Sequence, residues 1–341
     1  MLENLMFLEK IGQGFATIMQ IPIIQYHYNS RELVYQRKKV KLYHYKPKVK
    51  KPHTIPLLVV FATVNRPEIL DLFPEHSFIG GLLESGIDVY FLDWGYPGVE
   101  DQHISLNDYV TDYLHHCVHY ILKENQTKKI NLLGICQGGL ICLSYAILFK
   151  NIKNLVLIST PIDFSTHDNI IAKIFNKLEV ETFVSLVGNI PGTWLTEFFI
   201  SLRPFELVGK KYLRFIDHLS DQERTEKFLR VEKWLYDAPD QTGMSFTELI
   251  KNFYSQNKLI KGEWYLGSKR IDLANLTIPI LNIMASEDEI VPVSATRGLK
   301  NYVGTKEYTE LIFPSGHIGI YISDKVGNSM SRAIATWLEK Q

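Results

Sequence analysis

Cysteine is scarce in this chain: only Cys117, Cys136 and Cys142 occur in 341 residues. So sparse and odd a set excludes a disulfide scaffold and fits a reducing compartment such as the cytoplasm. Net charge is missing too, with 37 basic side chains against 37 acidic ones. The basic stretch from Lys46 to Lys51 is local and reads as a solvated connection. With no positive field along the chain, nucleic acid is not expected as the main partner. No apolar run is long enough to cross a bilayer, so no transmembrane segment is expected. Glu3 and Glu9 stand where a basic leader would be, so no signal peptide is expected either. Internal repeats and low-complexity tracts are absent.

What remains is a chain long enough for one large domain, or one domain carrying an insertion. Residues 1–30 are mostly apolar with scattered glycine, and an N-terminal helix or clasp is expected there. From Glu32 to Tyr45 polar and apolar residues partly alternate, as in a half-buried β-hairpin. After the linker-like stretch from Pro47 to Thr54 the rhythm becomes βα. Buried strands are expected at 57–61, 87–92, 130–133 and 155–158. Helices are expected at 77–83, from Ser105 to about Lys123, and at 138–149, the second opened by a Ser105/Asp108 capping box. Strands buried on both faces between helices imply an α/β fold with a mainly parallel central sheet.

Beyond Asp163 the repeat stops. Residues 165–262 carry helical stretches near 169–187, 195–207 and 220–236, with breakers at Gly192, Pro204 and Pro239. Strands resume at 279–284 and 308–313, and a helix at 325–339 closes the chain. The expected organisation is a core formed by 31–164 and 263–341, with 165–262 as an inserted helical cap.

The sharpest chemical signal is Gly134-Ile135-Cys136-Gln137-Gly138-Gly139, placed between a buried strand and a helix. This is the nucleophile-elbow pattern of the α/β-hydrolase architecture, with cysteine replacing serine. The turn is tight and its central residue strained, so a Cβ two positions to either side would crowd it. Gly139 allows the helix to lie close on the sheet. At a helix N-terminus, free N–H groups favour thiolate over thiol. The bland alternative is an inert buried cysteine in a glycine-rich turn. Cys117 and Cys142 have no such context and read as core.

A nucleophile of this kind needs an acid and then a histidine after later strands. Asp288 follows one expected strand and His317, between Gly316 and Gly319, follows the next. Glu287 and Glu289 flank the aspartate and read as solvated loop carboxylates. His317 would orient on Asp288 and take the Cys136 proton. The Gln137 backbone N–H would face a developing oxyanion. Val64 is the candidate for the second backbone donor, in the loop after the 57–61 strand, with Asn65 next. Arg66 in that loop suits either a phosphate contact or a surface helix cap. His115 and His119 stand four apart, but no third ligand accompanies them, so no metal is expected. Trp194, Phe198, Phe199 and Trp234 would either exclude water from the site or form ordinary core.

These words resemble the catalytic subunits of the class III polyhydroxyalkanoate synthases over almost the whole length. The matching segments are Val64-Asn65-Arg66-Pro67, Leu70-Asp71-Leu72, Asp93-Trp94-Gly95-Tyr96-Pro97, the 131–139 box, Gly188-Asn189-Ile190-Pro191-Gly192, Glu232-Lys233-Trp234, Pro239-Asp240-Gln241, Phe253-Tyr254 and the 313–321 segment. The resemblance implies an α/β-hydrolase fold, with the family's nucleophile, aspartate and histidine on Cys136, Asp288 and His317. It implies a short-chain (R)-3-hydroxyacyl-CoA substrate such as 3-hydroxybutyryl-CoA, and a growing poly(3-hydroxybutyrate)-type chain as product. No separate cofactor is implied, because coenzyme A is carried in by the substrate and released. A second, non-catalytic subunit, a homodimer and cytoplasmic polyester granules complete the expectation. One departure is Glu289, where the family usually has histidine after the aspartate. Two other readings fit the same triad or fold: a cysteine-dependent thioesterase or polyester hydrolase with a wetter cleft, and a non-catalytic granule-associated binding protein.

Overall fold

The computed structural model describes residues 27–50, 52–73, 75–202, 211–323 and 326–341. The helix or clasp expected for the N-terminal segment falls almost wholly outside these residues. The described chain opens with β1 (Glu32–Arg37) and β2 (Val40–Tyr45), paired antiparallel as the alternating pattern requires. The central sheet adds β3 (Leu57–Val60), β4 (Val89–Asp93), β5 (Ile130–Ile135) and β6 (Ile152–Ile158). A two-residue pair, β7 (Tyr265–Leu266) and β8 (Lys269–Arg270), precedes β9 (Ile280–Ala285) and β10 (Tyr308–Phe313).

The eight-stranded sheet runs β1-β2-β4-β3-β5-β6-β9-β10. The six strands from β4 to β10 are parallel, and β2 joins them antiparallel along β4. From β3 the chain goes first to β4 on one side and then to β5 on the other. That reversal opens a crevice outside the carboxyl ends of β3 and β5, where sheets of this kind hold ligands.

Side-chain alternation divides the core between the two faces. Leu58, Val60 and Leu132 pack on one face with Leu140, Ile141 and Leu143 of the helix Gln137–Leu148. Leu57, Val59, Leu133 and Ile135 pack on the other with the helices Phe78–Glu84 and Gly327–Glu339. The helix expected from Ser105 begins at its capping box, Ser105 N–H donating to Asp108 Oδ2 at 2.8 Å, but widens to a π-turn over Tyr109–Leu114 before continuing as His115–Glu124.

Among the described residues between β6 and β7 the chain is mainly helical. Its helices include Ile170–Phe175, Val180–Val187, Gly192–Ser201, Gln222–Tyr236 and Gly243–Leu249. Gly192 opens a helix after Pro191 and does not break one. Val180, Ile190, Leu195, Phe246 and Ile250 form a small core of this segment's own. It is tied to the sheet by Trp234, whose indole N–H donates to the Arg66 carbonyl at 2.6 Å. Among the described residues no helix is long and apolar enough to cross a membrane.

The helix after β5 lies against the sheet with no room to spare. A Cβ on Gly139 would run into the Thr160 side chain, which is itself buried. Gly139→Ala is therefore expected to lower unfolding stability by about 1–3 kcal/mol through overpacking. Adding Thr160→Ala, which removes the hydroxyl and methyl in the way, should recover part of the loss in denaturant titrations. Additive losses in the double variant would contradict this packing account.

Candidate active site

Cys136 connects β5 to its following helix with φ 52° and ψ −123°, a left-handed conformation that a side chain adopts only under constraint. The constraint is visible on both sides. Cys136 N–H donates to the Ile158 carbonyl at 2.9 Å, and Gly139 N–H donates to the Cys136 carbonyl at 2.9 Å. A Cβ on Gly134 would stand 2.5 Å from the Gly139 Cα, and one on Gly138 would stand 2.5 Å from the Phe61 carbonyl oxygen. The two glycines flanking the cysteine are thus required by backbone-to-backbone approach, as the sequence pattern demanded.

Asp288 and His317 come from the ends of neighbouring strands. Asp288 follows β9, is buried, and accepts Ile290 N–H at 3.0 Å and Val291 N–H at 2.8 Å on Oδ1. Its Oδ2 lies 2.7 Å from His317 Nδ1. The two backbone donors hold the carboxylate in one orientation and leave Oδ2 facing the ring. Glu287 and Glu289 are exposed and do not share this position. Burial alone would lower the His317 pKa, but the Asp288 charge, then Cys136, and hydrogen bonds to both raise it well above the ordinary imidazole value. Cys136, Asp288 and His317 therefore form one contiguous set, with the ring between sulfur and carboxylate.

Cys136 and His317 open into a cavity of about 110 Å³ lined by Phe61, Val64, Phe199, Trp234, Ile290 and Ile318, among others. Val64 and Asn65 both lie on its wall, and Gln137 is buried at the helix start next to the cysteine. Asn65 has φ 64° and accepts Arg66 N–H at 3.1 Å on its side-chain oxygen, which fixes the loop after β3. Of the four aromatics singled out in the sequence, Phe199 and Trp234 line this cavity. Trp194 and Phe198 instead line a separate open groove with Ile174, Leu178 and Phe183.

Arg66 holds the N-cap position of the 3-10 turn Pro67–Asp71, but its side chain makes no capping bond and does not lie on the surface. It is buried, with bonds to Asp93 at 2.7 and 2.9 Å and to Glu68 at 2.9 Å, and its guanidinium lies 4.5 Å from the Tyr96 ring centroid. With both terminal nitrogens bonded to buried carboxylates, the guanidinium has no fork left for a phosphate. Cys117 and Cys142 are core residues. Burial pushes the Cys117 thiol up to about 12 and that of Cys142 well above its ordinary value, so neither forms thiolate readily. The His115 and His119 rings sit 4.3 Å apart. Among the described residues no group of three or more His, Cys, Asp or Glu is arranged to hold a metal ion.

Two hydroxyls near the sulfur were not foreseen. Burial, then the proximity of Cys136, raises the pKa of both Tyr254 and Tyr321, so both phenols stay protonated. The Tyr321 hydroxyl is buried without a hydrogen-bond partner among the described residues. Tyr321 stands four residues after His317, a spacing that carries no signal until the short helix Gly319–Ile322 is seen.

A family model described as "alpha/beta hydrolase fold" matches residues 66–324, and one described as "Poly-beta-hydroxybutyrate polymerase (PhaC) N-terminus" matches residues 28–81. The chain is 41% identical over 342 residues to the poly(3-hydroxyalkanoate) polymerase subunit PhaC of Allochromatium vinosum, covering 99% of this chain and 96% of that one. It is 41% identical over 349 residues to the same subunit of Synechocystis, covering 99% and 92%. Among solved structures it is similar to a metagenome-derived lipolytic enzyme (TM-score 0.52, 14% identity, 87% and 98% covered) and to a meta-cleavage product hydrolase of Pseudomonas fluorescens (TM-score 0.50, 14% identity, 88% and 95% covered). At that identity the structural likeness concerns the fold.

The Asp288–His317 contact has a definite pH signature. A pKa raised in the folded state contributes stability that is fully present below the unfolded value of about 6.5 and disappears as pH rises through the folded value. Asp288→Asn removes the leading cause of the rise. The gap in melting temperature between wild type and Asp288→Asn is therefore expected to be larger at pH 6 than at alkaline pH. A gap that grows with pH would contradict the arrangement.

Proposed function

The chain belongs to the poly(3-hydroxyalkanoate) polymerases of the α/β-hydrolase fold, and from that premise we propose that it polymerises short-chain (R)-3-hydroxyacyl-CoA, such as 3-hydroxybutyryl-CoA, through an acyl thioester on Cys136. As a member of the family it is an acyltransferase of polyester synthesis. The observation that carries the finer reading is the shared cavity: Cys136 and His317 face one small apolar space, with Asp288 2.7 Å behind the imidazole.

In this mechanism His317 takes the Cys136 proton and the thiolate attacks the thioester carbonyl. The tetrahedral oxyanion is held by the backbone N–H groups of Gln137 and Val64. The carbon–sulfur bond to coenzyme A breaks, and the departing thiolate receives the proton from His317. A 3-hydroxyl, from a monomer or from the end of a growing chain, then gives its proton to His317 and attacks the Cys136 thioester. An ester bond forms and the cysteine sulfur is released. Asp288 keeps the imidazole in the tautomer that serves both halves. No resident cofactor takes part, since coenzyme A enters and leaves with the substrate.

A thioester intermediate must be protected from water. The apolar walls, with Phe199 and Trp234 contributed by residues 165–262 acting as a cap, favour polymerisation over the thioesterase alternative. The size of the space supports a short acyl group. At about 110 Å³ it is smaller than the roughly 150 Å³ apolar cavity that accommodates benzene. A second non-catalytic subunit, a homodimer and attachment to cytoplasmic polyester granules are proposed on family membership.

Incubation with 3-hydroxybutyryl-CoA should release coenzyme A and deposit polymer, and Cys136→Ala should reduce both by more than about a thousandfold without unfolding the protein. Free 3-hydroxybutyrate with no polymer would establish the hydrolase instead. Phe199→Ala is expected to raise the rate with 3-hydroxyhexanoyl-CoA relative to 3-hydroxybutyryl-CoA by about tenfold or more, because a wall of the acyl space is removed. An unchanged ratio would remove Phe199 from the acyl site.

A further inference from the structure

A buried polar cluster next to the cavity joins three segments far apart in sequence. Thr63 follows β3, Gln137 follows the cysteine, and Gln241 comes from the helical insertion; all three are buried. Gln241 Nε2 donates to the Thr63 carbonyl at 2.6 Å, and Thr63 Oγ1 donates to Gln241 Oε1 at 2.6 Å. These two bonds close a ring between one side chain and one residue. Thr63 Oγ1 also lies 2.7 Å from Gln137 Oε1. A hydroxyl has one proton to donate, and the Thr63 carbonyl, which can only accept, dictates which end of the Gln241 amide faces it. The Thr63 proton is therefore committed to Gln241, and the Gln137 amide is complementary when its N–H is turned toward the hydroxyl. Gln241 is itself fixed, since its backbone exchanges two bonds with Ile190, both 2.9 Å.

The Thr63 carbonyl belongs to the same peptide unit as the Val64 N–H. That unit is a rigid plane, and in the trans form its C=O and N–H point in opposite directions. A donor that holds the oxygen therefore sets the direction of the N–H. Val64 lies on the cavity wall with Cys136. We propose that Gln241 is a positioning residue that, by holding the Thr63 carbonyl, aims the Val64 N–H at the oxyanion formed on the Cys136 thioester. The inference rests on the nucleophile and oxyanion roles proposed above. It makes the oxyanion hole a composite: the donor comes from the loop after β3, and its aim comes from the insertion. Without the amide of Gln241 the peptide loses its only buried side-chain donor among the described residues and can rotate, while the sulfur and imidazole stay in place.

The test compares Gln241→Glu, which keeps the shape but replaces the donor with an acceptor, and Gln241→Met, which removes the polar group. Two reactions are followed in each intact protein. Thioester turnover with 3-hydroxybutyryl-CoA needs the oxyanion hole, whereas alkylation of the Cys136 thiol by iodoacetamide does not. Both variants are expected to lose about 10- to 100-fold in kcat with KM within about threefold. Alkylation should stay within about twofold of wild type and be confined to one thiol, since Cys117 and Cys142 are buried. Wild-type kcat in both variants would overturn the proposal. So would a loss of kcat accompanied by slowed alkylation or by reaction of the two buried thiols, because that pattern marks general loosening. Turnover surviving in Cys136→Ala would instead overturn the nucleophile reading beneath it, whatever the Gln241 variants do.

Discussion

The fold's chemistry depends on a backbone held in a shape it resists. Cys136 sits at φ 52°, and a non-glycine residue there costs on the order of 1–3 kcal/mol. It persists because the surrounding contacts leave no alternative. Its N–H is taken by β6, its carbonyl by Gly139, and Gly134, Gly138 and Gly139 allow helix, strand and loop to meet backbone against backbone. Relaxing the turn would move the sulfur and the N-terminus of the helix together, so the strain and the placement of the thiol have a single cause.

The rest of the site is assembled around that point by the reversal of strand order. The loop after β3 brings Val64, the turn after β5 brings Cys136, and the ends of β9 and β10 bring Asp288 and His317. The parallel sheet places all four at its carboxyl edge. The helical segment between β6 and β7 contributes from above, with Phe199 and Trp234 in the apolar wall and Gln241 bonded to Thr63. In such a space charges act on His317 with little screening, and Asp288, Cys136 and the hydrogen bonds to both together outweigh the burial that would otherwise deprotonate the ring.

Local features were legible in the sequence because they are local. The strand at 308–313, the capping box at Ser105 and the glycine pattern around Cys136 each follow from residues within a few positions of one another. The convergence of Cys136, Asp288 and His317 was legible because the order of strand ends constrains it. The burial of Arg66 is not legible in sequence, because its partner Asp93 lies 27 positions away and nothing in the Val-Asn-Arg-Pro segment indicates burial. The link from Gln241 to Thr63 spans 178 positions and depends on how the insertion docks, which no periodicity encodes. Phe198 and Phe199 look alike in sequence, yet only the helix's orientation decides that one lines the groove and the other the cavity.

The central claim is that the polymer grows from a covalent acyl thioester on Cys136. Rapid acid quench of the enzyme with 3-hydroxybutyryl-CoA, followed by peptide mass spectrometry, tests it most directly. The account predicts a hydroxybutyryl adduct on the peptide containing Cys136, formed within the first turnover, labile to hydroxylamine and absent from the peptides containing Cys117 and Cys142. Polymer formation with no adduct on Cys136 at any quench time, or an adduct on another residue, would contradict it.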